Sequence, residues 1–153
     1  MTTFFSTQET TRQAGGLLNI SDFGPLERRF FEFVVPTATI AVSDDIEALL
    51  MPANYRFMGG EVFWDAMSTA GGTAKLQVGT RTVADETDDP DHYLGSTDVD
   101  AAGTARFGVT LALNWGELFT EDTYLLLTNP NDTSEAWAAA ADIKGFVDLL
   151  PAG

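Results

Sequence analysis

Cysteine is absent from this 153-residue chain, histidine occurs once, and lysine and arginine together number 8 against 23 acids. The missing thiols exclude disulfides, thiolate metal sites and a cysteine nucleophile. A single histidine, His92, excludes zinc sites built from several imidazoles or thiolates. Any serine triad would have to assemble around that one residue, and no Gly-x-Ser-x-Gly elbow presents a serine to it. The glycine pairs at 15-16, 59-60 and 71-72 lack the P-loop lysine and the dinucleotide-binding spacing, so they read as turns. No apolar run approaches the roughly 20 residues that span a bilayer. The first residues, MTTFFSTQETTRQAGG, lack the basic start and apolar stretch of a signal peptide. A soluble, non-enzymatic domain with no cofactor is therefore expected, with no membrane partner.

The shortage of bases is uneven. Net charge is −15; residues 1 to 60 carry four bases and seven acids, for −3, and residues 61 to 153 carry four bases and sixteen acids, for −12. Such a surface repels phosphate backbones, so nucleic acid is not an expected partner and a charged partner should be basic.

What is present is β-sheet sequence. The segment before Pro25 is rich in Thr, Gln and Gly and keeps no period, so residues 1 to 25 read as an extended N-terminal arm; a helix over 7 to 14 is its only other reading. From residue 26 to 153, short runs of β-branched and aromatic residues alternate with turn residues. RFFEFVV (29 to 35) and TATIAV (37 to 42) flank Pro36, which cannot donate to a ladder and so predicts an edge or a bulge. IEALLMP (46 to 52) is a short apolar run. In RFMGGEVFWDAM (56 to 67), Val62, Trp64 and Ala66 share one face; in TAKLQV (73 to 78), Ala74, Leu76 and Val78 do. The longest alternation is ARFGVTLALNW (105 to 115), in period 2 throughout, which predicts one strand with Trp115 in the core. TYLLLT (123 to 128) is apolar on both faces and suits a central strand, and DIKGFVDLL (142 to 150) a closing one ended by Pro151. WAAAAD (137 to 142) fits helix or strand. Together these predict an all-β fold, a β-sandwich or jelly-roll-like domain preceded by the arm.

The densest chemistry lies in ADETDDPDHYLGSTD (84 to 98), where Asp85, Glu86, Asp88, Asp89 and Asp91 precede His92. Counted from Asp85, a calcium loop needs glycine at its sixth position and glutamate at its twelfth, and finds Pro90 and Ser96. Asp85, Asp88, Asp89 and Asp91 remain candidates for an irregular calcium site. The plainer reading is a solvated connection with a turn at Asp89-Pro90. Nothing there suggests the burial that raises a catalytic carboxylate towards neutrality. Trp64 and Trp115 sit in phase with aliphatic neighbours and read as core, whereas Trp137 and the tyrosines leave open a carbohydrate- or receptor-binding face.

The succession LLMPANYRFMGGEVFWDAM, KLQVG, DPDHYLGSTDVDAAGT, TYLLLTN and IKGFVDLL resembles a family of small tailed-bacteriophage virion proteins, the capsid decoration or cement proteins encoded beside the major capsid protein. The resemblance covers about two thirds of the chain, in order, and departs from it in the acidic loop and the arm. It implies a non-enzymatic protein on the capsid surface of a virion, assembled in the host cytoplasm. Its implied partner is the major capsid protein, and it implies a homo-oligomer, a trimer by preference. Phe4, Phe5 and Arg12 of the arm, with Arg28 and Arg29 at its junction with the domain, are the expected shell contacts. A carbohydrate- or receptor-binding module of a head fibre or tail is the rival reading. An acidic phosphate mimic that inhibits nucleic-acid enzymes would explain the charge but not this strand order.

Overall fold

Alternation becomes strand wherever turn residues bound it. The computed structural model describes residues 3–5, 25–36, 40, 43–68, 73–108, 114–130 and 135–152. Among them run nine strands and no helix: β1 (Thr3–Phe5), β2 (Glu27–Val34), β3 (Asp45–Met51), β4 (Tyr55–Trp64), β5 (Lys75–Thr82), β6 (Asp88–Asp98), β7 (Gly103–Phe107), β8 (Thr123–Thr128) and β9 (Asp142–Pro151). They form a five-stranded sheet, β1-β2-β9-β4-β7, and a four-stranded sheet, β3-β8-β5-β6, antiparallel throughout.

The order has a simple generator. β2 pairs with β9, β3 with β8, β4 with β7 and β5 with β6, so β2 to β9 make one long ribbon doubled back at the β5–β6 connection. The ribbon is then rolled, which brings β4 beside β9 and β5 beside β8. This is the predicted all-β sandwich.

Inward faces supply the core. Val62, Trp64, Ala74, Leu76 and Val78 are buried as their alternation predicts, whereas Ala66, past the end of β4, is exposed and Met67 is buried instead. β8 is interior to its sheet and buries Leu125, Leu126 and Leu127, as a strand apolar on both faces requires. β9, expected to close the fold, instead lies at the middle of its sheet, between β2 and β4.

Two expectations give way to turn chemistry. The strand predicted over 105–115 stops at Phe107, because Gly108 adopts φ +59° and a Cβ there would overlap the Phe57 ring. Trp115 then falls on a turn between Asn114 (φ 63°) and Gly116 (φ 82°) and is 41% exposed, so it is not a core residue. Residues 109 to 113 lie outside the described residues. Trp137 is the reverse case. It is fully buried, its backbone bridges to Ile40, and its indole N–H donates to the Lys75 carbonyl at 2.8 Å.

The turn expected at Asp89-Pro90 falls instead at Val83–Asp85, and Asp88, Asp89 and Pro90 open β6. Proline is tolerated there because β6 is an edge strand. The expected helix at 7 to 14 and most of the TATIAV strand lie outside the described residues.

Candidate interaction surface

The outward side of the five-stranded sheet carries exposed aromatic surface. Since neighbouring residues of a strand point to opposite faces, Arg28, Phe30, Glu32 and Val34 of β2 point away from the core that takes Phe31. Pairing runs Phe30 to Phe146 to Glu61 to Arg106 in one row, and Glu32 to Lys144 to Phe63 to Thr104 in the next. Phe30 is 41% exposed, Phe63 37% and Val34 53%. Phe30 meets Phe146 edge-on at 6.1 Å. Contiguous apolar exposure of this kind marks surfaces that meet a partner.

Around these rings the charges nearly balance. Arg28, Lys144 and Arg106 stand against Asp148, Glu32, Glu61 and Asp142, three bases to four acids, on a chain of net charge −15. Arg28 grips Asp148 through two bonds, Nε to Oδ1 at 2.8 Å and Nη2 to Oδ2 at 3.0 Å, while its guanidinium lies 3.8 Å from the Phe146 ring centroid. The Asp148 hydrogen bond raises its pKa further, against a smaller opposing cost of burial. A shallow depression beside it is lined by Arg28, Met58, Glu61, Arg106, Phe146 and Asp148.

The outward side of the four-stranded sheet is different in kind. There Arg81 alone meets three carboxylates: Asp88 at 2.6 Å, Asp45 at 2.8 Å and Glu47 at 3.2 Å. The Arg81 hydrogen bond holds the Asp88 carboxyl below its ordinary range. One face of the sandwich is thus aromatic and near-neutral, and the other rich in carboxylates.

The expected contact residues scatter. β1 pairs with β2 in the register Thr3 to Arg29, Phe4 to Arg28 and Phe5 to Glu27, so Phe4 and Phe5 add a strand beside Arg28 at the rim of the aromatic sheet. Arg12 lies outside the described residues. Arg28 faces outward, but Arg29 points the other way, where it meets Glu27 at 3.0 Å, the Leu50 carbonyl at 3.2 Å and the face of Tyr55. The two arginines therefore work separately.

The calcium candidates scatter too. Asp85 accepts from the Thr82 hydroxyl, which lowers its pKa; Asp88 is held by Arg81, and Asp89 accepts from His92 at 2.8 Å. Among the described residues no group of three or more His, Cys, Asp or Glu is gathered as a ligand set. With Trp137 buried, the glycan-binding reading loses the one tryptophan it had reserved.

Phe30, Phe63, Phe146 and Arg106 were not singled out by their sequence. Their signal was available in RFFEFVV, where phenylalanine occupies both faces of one strand: Phe31 takes the core and Phe30 faces outward, 41% exposed.

No protein-family model and no curated protein matches the chain. Solved structures do. A chain in the capsid of Ralstonia phage GP4 superposes with a TM-score of 0.68 at 16% identity, covering 92% of this chain and 94% of that one. A chain of the cyanophage Pam1 capsid asymmetric unit gives 0.64 at 17% identity, covering 88% and 90%. A third, from the acidic stable capsid structure of Helicobacter pylori bacteriophage KHP30, gives 0.53 at 14% identity, covering 82% and 88%. The likeness is one of fold, and it spans most of both chains in every case.

Proposed function

Taking as premise a fold shared over most of its length with chains of three phage capsids, we propose that this protein is a non-enzymatic virion structural protein, a decoration or cement protein of the capsid surface. The near-complete coverage of both chains carries this reading, because the likeness extends over the whole domain. The partner is the major capsid protein, and the protein acts there as a homo-oligomer, a trimer by preference. Binding only the assembled shell stabilises it by mass action.

The aromatic sheet face is the docking surface this reading uses. An acidic partner brought against the carboxylate-rich face would meet like charge, whereas Phe30 and Phe63 offer apolar area amid nearly balanced charge. β1 borders the same sheet, so it extends that surface by one strand beside Arg28.

The test is cosedimentation of the purified protein with phage heads assembled from the major capsid protein of the same phage. Saturable binding is expected, and Phe30→Asp with Phe63→Asp should weaken it at least about tenfold, since central aromatic contacts typically cost more than 1 kcal/mol each when lost. Each ring is more than half covered, so the double variant should also lose some degrees of melting temperature, and binding is compared well below it. A chain that never sediments with heads would discard the shell reading; undiminished binding by the double variant would discard the face.

A further inference from the structure

His92 is the chain's one histidine, and both of its ring nitrogens face carboxylates. Nδ1 lies 2.8 Å from Asp89 Oδ2, and Nε2 lies 2.9 Å from Glu117 Oε2. The Tyr93 hydroxyl donates to the same Glu117 oxygen at 3.1 Å, and Asn114 Nδ2 donates to the His92 carbonyl at 2.9 Å. A neutral imidazole has one N–H and one lone pair, so it can serve only one of two acceptors and turns its lone pair on the other. An imidazolium donates to both.

The two carboxylates belong to different parts of the sandwich. Asp89, His92 and Tyr93 are on β6, the edge of the four-stranded sheet. Asn114 and Glu117 are on the segment between β7 and β8, whose backbone is tied to β4 of the other sheet. Gly116 N donates to Phe57 O at 2.6 Å, Phe57 N to Glu117 O at 2.8 Å and Phe119 N to Tyr55 O at 2.9 Å. The imidazole therefore joins the edge of one sheet to a loop carried by the other. That loop displays Trp115 and Leu118, each 41% exposed.

We propose that His92 is a proton-dependent strap: as the imidazolium it fastens the 114–119 loop to β6, and on losing its proton it can no longer donate to both Asp89 and Glu117, which weakens its hold on the loop that presents Trp115 and Leu118. The strap is a property of the isolated chain and stands or falls apart from any shell partner.

The charged surroundings agree. Asp89 and Tyr93 face the ring from β6 and Glu117 from the loop; Glu121 lines the same groove as Glu117, and Arg56 of β4 reaches the loop through the Gly116 carbonyl at 3.1 Å. The Glu117 hydrogen bond raises the His92 pKa above 6.5, burial opposes it, and Asp89 adds to the rise. Tyr93 is pushed well above its ordinary value by burial, so it stays a hydroxyl donor across this range. A pKa raised by folding contributes stability that is complete below 6.5 and is lost as pH climbs through the folded value.

The test pairs the NMR titration of the single imidazole with acrylamide quenching of tryptophan on the full chain. Trp64 and Trp137 are buried, so accessible quenching reports Trp115, and Trp115→Phe should abolish it. The expected imidazole midpoint lies above 6.5, quenching should rise with that same midpoint, and His92→Gln should remove the pH dependence. Glu117→Gln should lower the midpoint. A midpoint at or below 6.5, or a quenching step that survives in His92→Gln, overturns the strap. Should His92→Gln fail to fold, Glu117→Gln decides: an unmoved midpoint overturns it and a lowered one upholds it.

Discussion

Trp137→Ala is expected to lower the unfolding free energy by about 3–5 kcal/mol, the cost of removing a large aromatic from a packed core. Trp137 is among the largest fully buried side chains, and it closes the fold in three ways. Its ring fills the core, its backbone N–H donates to Ile40 O at 2.9 Å, and its indole donates to Lys75 O at 2.8 Å. Truncation leaves a cavity and removes the indole donor from that carbonyl, and the two costs add. Urea denaturation followed by far-UV circular dichroism measures the change. Trp137→Phe keeps most of the volume but loses the donor and part of the ring system; it should cost clearly less. A loss below about 1 kcal/mol for the alanine variant would contradict so complete a burial.

Gly79→Ala is expected to cost about 3 kcal/mol, the upper end of typical overpacking costs. In the β5–β6 ladder the register passes from Val78 with Leu94 to Thr80 with Asp89, so the four residues from Pro90 to Tyr93 are accommodated opposite Gly79 alone. The bulge passes directly over the glycine, where a Cβ would overlap the Asp89 carbonyl and press on Pro90. Backbone cannot rotate aside as a side-chain tip can. The same bulge turns Tyr93 inward, where its ring stacks on Phe57 at 4.0 Å, and sets His92 against Glu117. Gly79→Ala should therefore depress both the melting temperature and the His92 midpoint. Gly95, also on β6, has open space where a methyl group would stand, so Gly95→Ala should fall within about 0.5 kcal/mol of the parent. Equal effects at the two glycines would mean that the bulge does not press on Gly79.

Much of the sheet structure could be read from alternation, because period 2 reports directly on which side chains face the core. Val62, Trp64, Leu76 and Val78 follow it, and the doubly apolar TYLLLT is indeed an interior strand. Alternation says nothing about backbone angle. ARFGVTLALNW kept its pattern through Gly108, yet a positive φ there ended the strand and carried Trp115 to the surface. The turn chemistry was present in Gly108 and in the Asn114-Trp115-Gly116 trio, but a hydrophobic count cannot weigh it. Trp137 failed in the other direction. Its core role depends on Ile40 and Lys75, brought to it by the rolled ribbon rather than by its alanine neighbours.

The contact surface and the strap were legible only in part for the same reason. Arg28 was visible as a charge at the arm's junction, but its balance with Asp148 joins residues 120 positions apart. The acidic stretch suggested one shared ligand set. In three dimensions Arg81, Thr82 and His92 each claim a different carboxylate, and Glu117, the partner that gives His92 its second bond, lies 25 positions away.

The doubled ribbon also sets an order in time. β9 forms the centre of the five-stranded sheet, yet it is the last strand of this sequence to be synthesised. Until Asp142–Pro151 has left the ribosome, β2 and β4 have no neighbour to bridge them, and their apolar faces wait uncovered. Pairings this distant along the chain are slow, with all-β domains of similar size folding in milliseconds to seconds. At roughly 5–20 residues per second of translation, the nascent chain spends seconds holding β2 and β4 without their centre. The carboxylates that crowd its later segments then act before any fold exists, keeping waiting copies apart through mutual repulsion.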